Sequence, residues 1–220
     1  MILGGTGWVG GLVLAAFFVS STLVSRLAVP PAEGLDPKGD RRDPRQVAAN
    51  GGVAALLALS GRHDAALGLW LVTGTLAAAA ADTWATSLGS RSRAAPRRIL
   101  GWHPVPRGAS GGITLLGCAG AAAGAALVSA AAVLAGAPPA LLPAGTLVGF
   151  LGMVVDSVVG AGAQARYRCP VCHRPSEWPV HRCGTPTVHE GGVPWLDNDA
   201  VNLAATATAG GLAFLAWACC

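Results

Sequence analysis

The feature that most constrains this chain is a succession of long apolar runs, at about residues 8 to 29, 47 to 60, 64 to 88, 109 to 135, 140 to 165 and 197 to 218. A helix needs roughly 20 apolar residues to cross the hydrocarbon of a bilayer, where only internal hydrogen bonds can satisfy its backbone. Five runs reach that length and the second falls short. The expected fold is therefore an all-α polytopic bundle of about six spans, with five as the fallback. Of the 220 residues 52% are hydrophobic and 12% charged, and the mean hydropathy is +0.52. That excludes a soluble domain of ordinary composition. The loops are short except for residues 166–196, so the chain reads as one membrane domain, 1–220, carrying a small Cys/His insertion.

Charge sets the expected orientation. No Lys or Arg precedes the first apolar run, and the first basic residue is Arg26, so that run is not read as a cleaved signal peptide. Counted loop by loop, Lys and Arg alternate 5, 1, 5, 0 and 4, which places the first, third and fifth loops in the cytoplasm and both termini outside. The net charge of +4 is mostly this topology signal. No stacking aromatics accompany the arginines, so nucleic acid is not an expected partner.

Gly and Ala dominate the spans. Gly145, Gly149, Gly152, Asp156, Gly160 and Ala163 fall on one helical stripe, as small residues do where helices approach closely. Gly108, Gly112, Gly120 and Gly124 suggest the same for the fourth span. Asp156 should therefore face protein. Asp82 and Asp156 are the acids placed inside apolar runs, and an ionisable group at membrane depth is by default a functional-site candidate. Asp197, Asn198, Asp199 and Asn202 open the sixth span, where helix capping is the alternative to metal binding.

Two stretches suit phosphate. Lys38, Arg41, Arg42 and Arg45 lie in KGDRRDPRQVAANGG, followed by Gln46 and by Asn50 and Gly51, where Asn-Gly-Gly is expected to bare the backbone. GASGGIT, Gly108 to Thr114, is expected to form the Gly-rich start of the fourth helix, with Ser110, Gly111 and Gly112 offering donors to an anion. The plainer reading of the basic run is a solvated loop that fixes membrane orientation. Mg2+ prefers oxygen ligands and commonly combines one or two carboxylates with substrate phosphates, so Asp82, Asp156, Asp197 and Asp199 are its candidate ligands. Cations together with Mg2+ are what phosphoryl or nucleotidyl transfer requires. In the fifth loop Cys169, Cys172, His181 and Cys183 have the spacing of a Cys3His zinc site, with His173 or His189 as substitutes for the histidine. Reduced thiols without metal, or a redox or catalytic role, stay open.

The stretches GDRRDPRQVAANGG, ADTWATSLG, GASGGIT, VDSVVGA, YRCPVC and DNDAVN together resemble, in order, the integral membrane family called domain of unknown function 92, or transmembrane protein 19. That family includes a plant phytyl-phosphate kinase and is distantly similar to CTP-using lipid kinases. The family often has a Glu in the Asp-Thr-Trp motif where this chain has Ser87. The resemblance implies transfer of a phosphoryl group from a nucleoside triphosphate, with CTP a candidate, to phytyl, geranylgeranyl or another polyprenyl monophosphate at the cytoplasmic face of the cell membrane. Lys38, Arg42, Asp82 and Asp156 would be catalytic. Arg41, Arg45, Gln46, Asn50, Gly51, Ser110, Gly111, Gly112, Asn198 and Asn202 would hold nucleotide and phosphate. Mg2+ is then expected, and Zn2+ as a structural ion. The rivals are a cytidylyltransferase making a CDP-lipid, an ion-coupled transporter, and a non-catalytic protein binding anionic headgroups. A homodimer is left open.

Overall fold

The computed structural model describes residues 1–30 and 44–220, and the side chains of residues 44–46 lie outside that description. Six helices account for most of it: α1 (Ile2–Ser25), α2 (Pro44–Leu57), α3 (Ala65–Gly89), α4 (Leu115–Leu134), α5 (Leu141–Gly162) and α6 (Asn198–Ala218). All but α2 are long and apolar enough to cross a membrane. The short second run is resolved as two pieces, the 14-residue α2 and a five-residue 3-10 turn, Ala58–Arg62. At about 1.5 Å per α residue and 2.0 Å per 3-10 residue, the two together reach roughly 31 Å, close to a hydrocarbon thickness. Their far end meets the start of α1, where the Ala58 carbonyl and Gly61 lie against Gly5.

The centre of the bundle is α3. From Trp70 to Ala81 it is buried without a break, as expected for a helix apolar on all sides. Small residues let its neighbours come close. On α4, Gly120 faces the Trp84 carbonyl and Gly124 the Ala80 carbonyl, so the two helices run antiparallel. On α5, Gly149 faces Ala77 and Gly152 faces Ala78, so α5 runs parallel to α3. On α6, Ala213 and then the Ala209 carbonyl meet Gly74, and Ala209 also meets Gly152, so α6 is antiparallel to both. This is the small-residue packing expected where apolar surface alone gives no preference for helix over lipid. Leu3, Trp8, Phe18, Leu115, Leu134, Leu147 and Leu215 are left on the outside.

Caps explain where three helices begin. Asp64, Thr114 and Asp197 each accept a hydrogen bond from the backbone N-H three residues on, at 3.0, 2.9 and 2.9 Å. The fourth helix thus starts at Leu115 and not near residue 109. The preceding Gly108 and Gly111 have φ of 91° and 73°, which a helix cannot accommodate. The chain there pairs instead as β2 (Gly112–Ile113), antiparallel to β1 (Arg97–Arg98). A second small sheet lies between α5 and α6, with β3 (Arg166–Arg168) flanked by β4 (Pro175–Ser176) and β5 (Val188–Gly191).

The alternation of directions gathers three connections at one end of the bundle. The end of α1 is tied to the end of α3 by Val29 N donating to Ser90 Oγ at 2.8 Å, and by Arg91 Nη1 donating to the Leu27 carbonyl at 3.1 Å. Near the start of α6, Thr206 Oγ1 donates at 3.0 Å to the Ala49 carbonyl in the first half of α2. Every Lys and Arg except Arg62 belongs in sequence to these three connections or to the helix ends beside them.

Candidate functional site at the basic end

The helix register brings the sequence's two intramembrane acids to one level. Ala78 on α3 and Gly152 on α5 touch, with only 2.5 Å left for a Cβ on Gly152. Four residues further along these parallel helices come Asp82 and Asp156, so each stands one turn beyond the contact and toward the basic end. Both are half-buried, and Oδ2 of Asp156 is shielded from solvent. The α6 register sets the third member. Since Ala213 and Ala209 bracket Gly74, the level of Asp82 on antiparallel α6 falls near residues 201 to 205. Asn202 lies there, 6% exposed. Asp199 sits one turn closer to the open end, and Asn198 is the first helical residue. Asp197 is the N-cap, with Oδ1 bound to Ala200 N, so the capping reading accounts for one of its oxygens.

The two phosphate-type stretches arrive at this end in a different form from the one expected. Asn50, Gly51 and Gly52 are inside α2, whose own ladder takes up their N-H groups, so they do not form an exposed backbone loop. Asn50 is half-buried, one residue from the Ala49 carbonyl that binds α6. Lys38, Arg41 and Arg42 lie outside the described residues, as do the side chains of Arg45 and Gln46. GASGGIT, for its part, precedes α4 as a loop that runs into β2 and the N-cap Thr114, so the N-H groups of Ser110, Gly111 and Gly112 lie outside the helix and carry no helix dipole. It is pressed onto the end of α5: a Cβ on Gly111 would fall 2.7 Å from Ala161 Cα, and the Gly160 position lies within 4 Å of Ser110 Cβ. With a positive φ and no room for a side chain, Gly111 admits only glycine. The stretches carrying Ser110 and Asp156 thereby meet.

Sequence reasoning missed Glu177. It lies between Cys172 and His181, yet its carboxylate reaches out of the insertion. Oε1 accepts from Ser110 Oγ, and Oε2 accepts from Gln164 Nε2 at 3.0 Å. Gln164, just past the end of α5, is buried. An acid within a metal-ligand spacing was the available signal, but nothing local in sequence points from it to residue 110.

The insertion brings its four candidate ligands together. One donor atom from each of Cys169, Cys172, His181 and Cys183 lies within 4.8 Å of all the others, so the group could hold a metal ion. Sγ of Cys169 and Cys183 are 3.7 Å apart, His181 Nδ1 is 3.0 Å from Cys183 Sγ, and the Cys172 N-H donates to Cys169 Sγ at 3.4 Å. His173 and His189, the substitutes, are outside the cluster; His189 stacks edge-on against Tyr167. The hydroxyl of Thr185, and then His181, draw the Cys183 thiol down to about 6. The hydrogen bond with Cys183 pushes Cys172 up to about 11. The cluster is therefore primed with one thiolate near neutrality.

Comparison with known proteins agrees with the architecture. The profile described as integral membrane protein DUF92 matches residues 1–210. Protein PGR of Arabidopsis thaliana is 29% identical over 87% of this chain and 76% of its own length. An uncharacterized membrane protein of Synechocystis is 30% identical over 89% of this chain and 69% of its own length. One from Methanocaldococcus jannaschii is 31% identical over 68% of this chain and 63% of its own length, so that match leaves more than a third of the relative uncovered. No solved structure matches.

Proposed function

The chain belongs to the integral membrane protein family DUF92, and from that premise we propose a membrane-embedded prenyl-phosphate kinase working at the basic, cytoplasmic end of the bundle. One observation carries the reading: the helix register sets Asp82, Asp156 and Asn202 at one level near the end of the bundle from which the described, arginine-rich α3–α4 and α5–α6 connections extend. Carboxylates on rigid helices under cationic loops are the arrangement that phosphoryl transfer uses.

Asp82 and Asp156, with Asp199 nearer the opening, supply the hard oxygen donors that suit Mg2+, which when bound neutralises phosphate charge. Lys38, Arg41, Arg42 and Arg45 contribute further positive charge, and Asn50, Asn202 and the backbone N-H of Ser110, whose hydroxyl is engaged by Glu177, contribute hydrogen bonds to nucleotide and acceptor. The acceptor is a prenyl monophosphate whose chain stays in the lipid. An oxygen of that phosphate forms the new bond to the γ-phosphorus, and the bond to the nucleoside diphosphate breaks. The acceptor is already ionised, so no general base is required, consistent with the absence of His from these motifs. The Cys/His cluster is read as a structural zinc site.

The test is purified protein with Mg2+, labelled nucleotides and a panel of prenyl monophosphates. Lipid diphosphate is the expected product. CDP-lipid with release of diphosphate would replace the kinase by a cytidylyltransferase, and solute uptake into proteoliposomes without nucleotide would replace it by a carrier. Asp156→Asn is expected to abolish transfer while the protein still inserts and folds. Retained turnover would remove Asp156 from the reaction.

A further inference from the structure

The insertion has almost no apolar core. Over residues 166–196 the buried side chains are Cys169, Ser176, His181 and Leu196, and two of these four belong to the candidate metal cluster. A segment of this size cannot hold itself by burial, and short strands joined by a few ladder bonds do not replace a core. A metal that ties four distant positions together does, because its binding energy becomes folding energy. The ligand set of three thiols and an imidazole selects zinc over harder cations.

What the cluster positions is the chain between Cys172 and His181. Both ends of this stretch are candidate ligands, and Glu177 lies near its middle, directly after β4. The stretch is fastened to β3 by the pairing of Tyr167 with Ser176 and Arg168 with Pro175, and by Cys169 N donating to the Arg174 carbonyl at 2.9 Å. From there the Glu177 carboxylate spans two other parts of the fold, Ser110 in the Gly-rich loop and Gln164 beyond α5. A carboxylate that accepts from both is stronger than a neutral acceptor, and its removal would leave two donors in a half-buried place. The loop has other holds, among them Ile99 N donating to the Gly111 carbonyl at 2.9 Å. Losing Glu177 should loosen the loop and leave the bundle folded.

We propose that Cys169, Cys172, His181 and Cys183 bind one zinc ion whose role is to hold Glu177 against Ser110, making Glu177 a positioning residue for the Gly-rich loop. This deepens the reading above and rests on it for the loop's use in binding phosphate, but its test needs no turnover. Full-length protein in nanodiscs is assayed for metal by mass spectrometry. Hydrogen exchange of residues 108–114 is followed before zinc is chelated, after chelation, and after zinc is restored. One zinc per chain is expected, with loop exchange rising about tenfold on chelation, the factor for losing one charge-assisted hydrogen bond, and returning with zinc. Glu177→Ala should retain its zinc, show the raised exchange from the outset, and respond no further to chelation. Glu177→Gln, which keeps an acceptor, should fall between. A chain without zinc, or a loop whose exchange ignores both chelation and Glu177→Ala, overturns the proposal. A protein that passes these tests but transfers no phosphate retires the kinase and keeps the brace; one that transfers phosphate without zinc does the reverse.

Discussion

The helix bundle and the Cys/His insertion are held by opposite means. In the bundle the contacts are many, small and distributed: Gly149 on Ala77, Gly152 on Ala78 and Gly124 on Ala80 each bring two backbones close. In the insertion a few named atoms converge, and Val171, Trp178, Val180, Val188 and Trp195 lie exposed around them. The bundle should therefore suffer from added volume and the insertion from a lost ligand. The two regions meet at Glu177 and along the end of α5, where Val193 N donates to the Ala163 carbonyl and Ala165 N to the Leu196 carbonyl, both at 2.9 Å, so damage to one reaches the other through these contacts.

The largest effect expected from this contrast is Cys169→Ser. Zinc content should fall from one per chain to near none and residues 166–196 should become protease-sensitive, while helical circular dichroism is unchanged. Loss of helicity would show that the insertion also supports the bundle. Next comes Gly149→Val. A Cβ there meets Ala77 Cβ at 2.9 Å, and overpacking of this kind costs roughly 1 to 3 kcal/mol. Thermal unfolding in detergent should shift down accordingly, with zinc content of the folded protein unaltered. A smaller, chemical contrast lies within the cluster. At neutral pH, immediately after zinc is stripped and before the insertion loses its fold, Cys183, drawn down to about 6, is largely thiolate, whereas Cys172, pushed up to about 11, is largely protonated. Iodoacetamide followed by peptide mapping should label Cys183 first, and equal labelling would dissolve the distinction. The smallest effect is Arg168→Ala. It removes the exposed ion pair with Glu190, and exposed pairs contribute little. The unfolding midpoint should not move measurably.

How much of this was legible in the sequence follows the range of the interactions. The spans and the grouping of three connections at one end follow from local hydrophobicity and charge. The Gly145 to Gly160 stripe put Asp156 on a packing face because the 3.6-residue repeat is written into consecutive residues. The Cys and His spacing pointed to the cluster because its four ligands fall within one short stretch, Cys169 to Cys183. Two local readings failed where another interaction competed. Asn50-Gly51-Gly52 has turn chemistry, yet it continues a helix that packs on α6 beside Thr206. Gly108 to Thr114 has the position and composition of a helix start, yet Gly111 is claimed by Ala161 and Gly112 by the pairing with Arg98. Glu177 and Ser110 are 67 residues apart, and no periodicity spans that distance. The level shared by Asp82, Asp156 and Asn202 required the contacts between helices.

The sheathing of α3 has a consequence for how the protein should behave in different membranes. Because Trp70 to Ala81 is covered by other helices on every side, α3 offers lipid almost no surface over that length. A change in acyl-chain length presses on the outer helices, which can tilt to match it. The inner helix that carries Asp82 is cushioned from that pressure, so the depth of its carboxylate should vary little between thin and thick bilayers.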